Sequence, residues 1–177
     1  MKKLIYSSLL LVAIAFSAQA QNISKNALGL RLGDNDGFGA EISYQRKLQK
    51  NNRLELDLGI RNNKYADSFK LVGLYQWVWN IEGGFNWYAG IGAGIGSWKY
   101  GDLYKEDFKK YNPNYYGGYN YGNGGTYAVL AGDLGIEYNF DFPLQVSLDF
   151  RPEFVLGNGY GRNYGSDIGL GLRYKFN

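Results

Sequence analysis

The chain has 177 residues, with 19 Lys and Arg against 16 Asp and Glu, and it contains no Cys and no His. Without Cys there is no disulfide, thiol nucleophile or Cys metal site. Without His it lacks the side chain best suited to moving protons near neutral pH and the commonest metal ligand. A net charge of +3 does not suggest a nucleic-acid partner, while 17 Tyr, 26 Gly and only 3 Pro are unusual for a water-soluble globule.

The chain opens MKKLIYSSLLLVAIAFSAQA. Lys2 and Lys3 precede a mostly apolar run from Leu4 to Phe16, and Ala18-Gln19-Ala20 fits a small-residue cleavage site. This pattern predicts a Sec-type signal peptide over residues 1–20, with residues 21–177 as a single domain. The run is short for a membrane anchor, and no Cys is present to carry a lipoprotein lipid. Removing Lys2 and Lys3 with the leader brings the remainder close to neutrality. No later apolar run approaches the ~20 residues of a membrane helix.

Beyond the leader the apolar residues recur with period two. Residues 26–33 set Leu28, Leu30 and Leu32 against Gly29 and Arg31. Residues 38–48 set Phe38, Ala40, Ile42 and Tyr44 against Glu41 and Ser43. Residues 53–61 set Leu54, Leu56, Leu58 and Ile60 against Glu55, Asp57 and Arg61. Residues 69–81, FKLVGLYQWVWNI, are apolar on both faces, so their orientation stays open. Residues 86–100 hold the glycine run WYAGIGAGIGSW. Residues 126–140 set Leu130, Leu134, Ile136 and Tyr138 against Asp133 and Glu137. Residues 144–151 set Leu144, Val146, Leu148 and Phe150 against Asp149 and Arg151. Residues 164–176 set Ile168, Leu170, Leu172, Tyr174 and Phe176 against Asp167, Arg173 and Lys175. Strict alternation is the mark of a strand with one apolar and one polar face. Eight strands and no helix are expected, and Pro152 is expected at a bulge or near the outer end of the seventh strand.

Gln49–Asn52, Glu82–Phe85 and Asp141–Pro143 read as tight turns. Asp34–Gly37, Asn62–Ser68, Gly101–Gly125 and Val155–Asn163 are mostly longer. Short turns at one end and long loops at the other fit an outer-membrane barrel. Alternation alone would equally serve a soluble lipocalin-like carrier with its apolar face inside. The aromatics favour the membrane form. Tyr44, Trp79, Trp87, Tyr138, Tyr174 and Phe176 lie toward the tight turns and Trp98 toward the long loops, as two interface girdles would. The opposite face then lines the lumen with Arg31, Glu41, Glu55, Asp57, Arg61, Asp133, Glu137, Asp149, Arg151, Asp167, Arg173 and Lys175. Charges of nearly balanced sign suit an eight-stranded barrel, whose interior is only wide enough for side chains to fill.

The signal peptide, the eight alternating segments, LYQWVWNIEGGFNWYAGIGAGIGSW and the C-terminal GLGLRYKFN together resemble the small eight-stranded outer-membrane β-barrels of Gram-negative bacteria, the OmpA/OmpX-like superfamily. The resemblance covers nearly all of residues 22–177. It implies an all-β, closed, antiparallel up-and-down barrel, in contact with outer-membrane lipid, monomeric, and inserted by the barrel-assembly machinery. Such barrels commonly end on an aromatic residue; here Phe176 is penultimate. Enzymes among the related barrels resemble one another in needing a catalytic His, which this chain lacks, so no enzymatic activity, cofactor or metal is expected. A Glu55–Asp57 carboxylate pair is conceivable chemistry, but salt bridging is the simpler role. A structural or surface-contact function follows, with a narrow channel as the alternative.

Two features remain. The longest loop carries Tyr104, Tyr111, Tyr115, Tyr116, Tyr119 and Tyr121, which offer large contact area with polar tips to an extracellular ligand or surface. The glycines at 90, 92, 94 and 96 fit neither G-x-G-x-x-G nor a P-loop. They share one strand face and are expected to form a bare lumen wall, making room for Arg31, Arg61 and Arg173.

Overall fold

The computed structural model describes residues 23–33, 39–62, 64, 66–101, 124–157 and 163–177. The leader, Phe38, Tyr65 and the six loop tyrosines lie outside the described residues.

Eight strands form in chain order: β1 (Asn26–Gly33), β2 (Gly39–Lys47), β3 (Asn52–Asn62), β4 (Ala66–Glu82), β5 (Phe85–Tyr100), β6 (Gly125–Asn139), β7 (Leu144–Gly157) and β8 (Tyr164–Phe176). Each pairs antiparallel with the next, and β8 pairs with β1, so the sheet is a closed up-and-down barrel. Closure leaves no unpaired edge. The two termini of the barrel and all three tight turns sit at one end, here called the inner end.

The wall is inside out relative to a water-soluble barrel. Ile60 and Ile91 are each 63% exposed, whereas Arg151 and Arg173 are 0% exposed. Leucines at 28, 30, 32, 148, 170 and 172 all face outward. The soluble-carrier arrangement, with an apolar cavity, is therefore overturned: leucine faces out and arginine faces in. No helix among the described residues is long and apolar enough to cross a membrane, which says nothing of strands.

Tight turns set the register. In Glu82-Gly83-Gly84-Phe85 both glycines have positive φ, 54° and 89°. That is the two-residue hairpin turn whose twist matches the strands and which only Gly adopts cheaply. A register shift between Asn80 and Glu82 marks a bulge just before it.

Two local expectations are corrected, and a third point, left open by the sequence, is resolved. Strand β7 runs on past residue 151 to Gly157. Pro152 is not at a bulge: Ala131 pairs with Glu153 and Leu134 with Phe150 in one unbroken register. The ladder merely skips Gly132 and Asp133, because the ring has no N–H to donate. The ring faces outward, and a Cβ on Gly132 would lie 3.2 Å from its Cγ. The third concerns the two-faced apolar segment. In β4 Lys70, Val72, Leu74, Gln76 and Val78 are buried in the lumen, while Leu71 and Trp77 are exposed on the outer wall.

Candidate functional site

The lumen is filled by side chains held in three linked groups. Arg31 is the first centre. Its Nε donates to Asp149 at 2.9 Å, and its Nη1 to Asp167 at 2.7 Å and Glu41 at 3.2 Å. Arg151 is the second: Nη2 donates to Asp57 at 2.7 Å and Glu55 at 3.1 Å, and Nη1 to Glu41 at 3.4 Å. Arg173 donates to Ser43 Oγ at 2.9 Å, Ser147 Oγ at 2.8 Å and Glu55 at 3.1 Å. Glu41 thus joins Arg31 to Arg151, and Glu55 joins Arg151 to Arg173. Guanidinium forks suit this role because several donors leave one rigid plane.

Glu55 and Asp57 both grip Nη2 of Arg151, and both are buried to 1% exposure or less. Asp57 is committed to Arg151, and Glu55 to Arg151 and Arg173, rather than open to a substrate. This is salt-bridge chemistry, not an accessible acid–base pair.

Toward the inner end, Arg53 Nη1 donates to Glu137 at 2.5 Å and Nε to Gln76 at 2.6 Å. Its guanidinium carbon lies 4.7 Å from the centroid of the Tyr88 ring. Tyr88, Val78 and Ile23 pack together beneath it. Below them an open cavity of about 790 Å³ is lined by Lys25, Lys47, Asn80, Asn139 and Lys175, among others. At the outer end Lys70 donates to Glu153 at 3.1 Å.

Several expected lumen residues are placed differently. Arg61 keeps the inward parity of β3 but is exposed at the outer end, beyond the buried cluster. Lys175 has inward parity too, yet its Nζ donates to the Phe140 carbonyl at 2.7 Å, at the inner rim. Asp133 is buried and accepts from Gln76 Nε2 at 2.5 Å, with no cation within ion-pair distance among the described residues. The other nine expected residues lie in the buried network.

Four contributors were not singled out from sequence. Arg53 sits in phase with Glu55 and was legible by parity alone. Lys70 and Gln76 were hidden by the two-faced character of β4. Glu153 was lost because Pro152 made the strand end early. The buried charges are then Arg31, Arg53, Lys70, Arg151 and Arg173 against Glu41, Glu55, Asp57, Asp133, Glu137, Asp149, Glu153 and Asp167, an excess of acid among the described residues.

The glycine wall is real but serves other neighbours than expected. A Cβ on Gly92 would strike the backbone of Gly73, and one on Gly94 the backbone at Leu71 and Val72. The missing side chains let β4 and β5 pinch together. They also let β4 and β6 meet across β5. Gln76 reaches Asp133 over Gly90, and Val72 and Leu74 join Val129 and Ala131 in one apolar cluster. Room for the arginines comes from β8 instead: Gly169 faces the Arg31 guanidinium and Gly171 faces Arg173 and Ser147.

The aromatics divide. Trp79 and Trp87 stack with centroids 4.2 Å apart on the outer wall near the inner end. Phe85, Tyr138, Phe140 and Phe142 continue as a chain of ring contacts of 4.6–4.9 Å. Tyr174 and Phe176 are exposed on the same wall. Tyr44 faces outward and bonds Asn26 at 2.8 Å. Trp98 is corrected: it has the inward parity of the glycines and packs edge-on against Tyr100 at 4.9 Å. It stands at the outer mouth, as does inward-facing Tyr127, and neither belongs to an outer girdle.

No family model matches the chain, and no curated protein matches it. Among solved structures, the chain is similar to Ail, the attachment invasion locus protein of Yersinia pestis. Identity is 14%, the match covers 86% of this chain and 97% of that one, and the TM-score is 0.46.

Proposed function

We propose that the chain is an integral outer-membrane barrel whose work is done at its surface. It contributes to envelope integrity and makes contact with extracellular ligands or surfaces through its outer loops. One observation carries this reading: a closed wall with leucine outside around an interior filled by ion pairs. Apolar outward side chains and a fully paired backbone are what hydrocarbon demands. A lumen packed with fixed arginines and carboxylates leaves no solute path, so the barrel acts as a rigid mount for its loops. The long loop 101–125, with its six tyrosines, is the contact element. Trp98, Tyr100 and Tyr127 at the outer mouth give that loop an aromatic base.

The test has two arms. The protein should fractionate with the outer membrane and shift its gel mobility on heating; a freely soluble periplasmic protein would refute the membrane reading. Cells or vesicles carrying the protein should bind sugar-coated surfaces, and deletion of 102–123 should abolish that binding while leaving heat-modifiability intact. Equal binding by the deletion would remove the loop from the function.

A further inference from the structure

Arg46 is an exception on the outer wall. Four outward ladder positions carry charge: Arg46 on β2, Asp67 on β4, Lys99 on β5, and Glu82, which the bulge sets opposite Phe85 beside the β4–β5 turn. Asp67 and Lys99 are ladder partners at the outer end, so their charges oppose each other. Arg46 stands at the inner end, between Asn26 of β1 and Leu54 of β3. It is exposed, and no carboxylate among the described residues pairs with it. The guanidinium is nevertheless held in place. Its Nη1 donates to Asn26 Oδ1 at 2.8 Å, and Tyr44 donates its phenolic proton to the same oxygen at 2.8 Å. Asn26 is only 5% exposed and is itself fixed in the ladder between Arg46 and Phe176. One edge of the guanidinium is thereby tethered to the wall, while its other N–H groups make no hydrogen bond among the described residues.

The surroundings define the complement. Tyr44, Tyr174 and Phe176 flank this position, and the adjoining outward residues are Leu28, Ile42 and Leu54. An uncompensated cation on an apolar wall is costly in hydrocarbon and stable only at the polar interface. A planar guanidinium with a free edge matches the paired oxygens of a phosphate. We propose that Arg46, held by Asn26 and Tyr44, binds the phosphate of a phospholipid headgroup in the inner leaflet. The acyl chains of that lipid lie along Leu28, Ile42 and the leucines of β3. This rests on the membrane reading above and adds a defined lipid site to it.

The experiment uses the folded mature chain in maltoside micelles, titrated with phosphatidylglycerol and observed by native mass spectrometry. The wild type retains one lipid that Arg46→Gln binds about tenfold more weakly, the loss expected for one charge-assisted contact. Arg46→Lys, which keeps the charge without the fork, falls between them, and Lys99→Gln behaves as wild type. Diacylglycerol, with the same tails and no phosphate, shows no dependence on residue 46. Equal retention by wild type and Arg46→Gln overturns the proposal. So does Arg46-dependent binding of inorganic phosphate that matches the phospholipid, because the ligand is then not a lipid. Quenching of tryptophan by brominated acyl chains is measured alongside in both proteins. Its absence from the wild type breaks the membrane reading, whereas normal quenching with unchanged retention breaks only the Arg46 site.

Discussion

The two sides of the lumen solve the same packing problem differently. On the side built by β7, β8, β1, β2 and β3, three arginines spread across the interior and reach carboxylates on several strands. On the side built by β4, β5 and β6, Val72, Leu74, Val129 and Ala131 form an apolar cluster over the glycine stretch of β5's inward face. Glycine appears on both sides with opposite consequences. Gly169 and Gly171 clear space for guanidinium groups. Gly92 and Gly94 clear space for backbone, drawing neighbouring strands together. A crowded barrel needs both: long polar side chains to fill one side, and a thin wall to bring the other side's residues into contact.

The sharpest way to break this comparison is to remove the polar hub. Arg151→Met nearly keeps the volume but strips Asp57 of its one ion-pair partner among the described residues, at 2.7 Å, and weakens the hold on Glu41 and Glu55. Breaking a buried ion pair by removing one partner costs about 3–5 kcal/mol. Urea unfolding in micelles, followed by loss of the heat-modifiable band, should show a large drop in midpoint. An unchanged midpoint would mean that the network contributes no stability.

A smaller effect separates the two uses of glycine. Gly92→Ala puts a methyl group into the Gly73 backbone, and Gly96→Ala puts one into the Tyr127 ring. Overpacking of this kind costs about 1–3 kcal/mol. Tyr127→Leu should rescue Gly96→Ala, because a side chain can give way. No side-chain truncation should rescue Gly92→Ala, because backbone cannot. The readout is again the urea midpoint, with single and double variants compared. Rescue of both would show that β5 is glycine-rich for side-chain room alone.

Much of this was legible from period two. Parity alone placed Arg31, Glu41, Glu55, Asp57, Asp149, Asp167 and Arg173 on one face, and alternating leucines placed the other. Parity could not orient β4, where Val72 and Leu74 face inward and Leu71 and Trp77 outward, since both faces are apolar. It could not say which glycine meets which neighbour, because that depends on register around the closed barrel. Trp98 was equally legible by parity: it lies near the strand end, as a girdle residue would, but its two-residue step from Gly96 sets it on the inward face. Pro152 argues for a bulge or a nearby strand end, but an outward ring opposite Gly132 costs one break in the ladder and the strand continues.

The finest distinction concerns the excess of buried acid. Asp57 and Asp133 are both interior aspartates, but their surroundings differ. Asp57 accepts from Arg151 at 2.7 Å. Asp133 accepts only from the neutral Gln76 amide, at 2.5 Å, and its second oxygen has no partner among the described residues. Asn at position 133 keeps an acceptor for Gln76 and removes a charge that no cation among the described residues meets at ion-pair distance. Asn at position 57 removes a charge that Arg151 needs. Asp133→Asn should therefore raise the urea midpoint slightly, by about 1 kcal/mol or less, while Asp57→Asn lowers it by about 1–3 kcal/mol. Measured side by side at neutral pH, the two substitutions should have opposite signs. Equal losses in both would show that Asp133 is stabilised by its surroundings as firmly as Asp57, and that the lumen's excess of buried acid is balanced by more than its ion pairs.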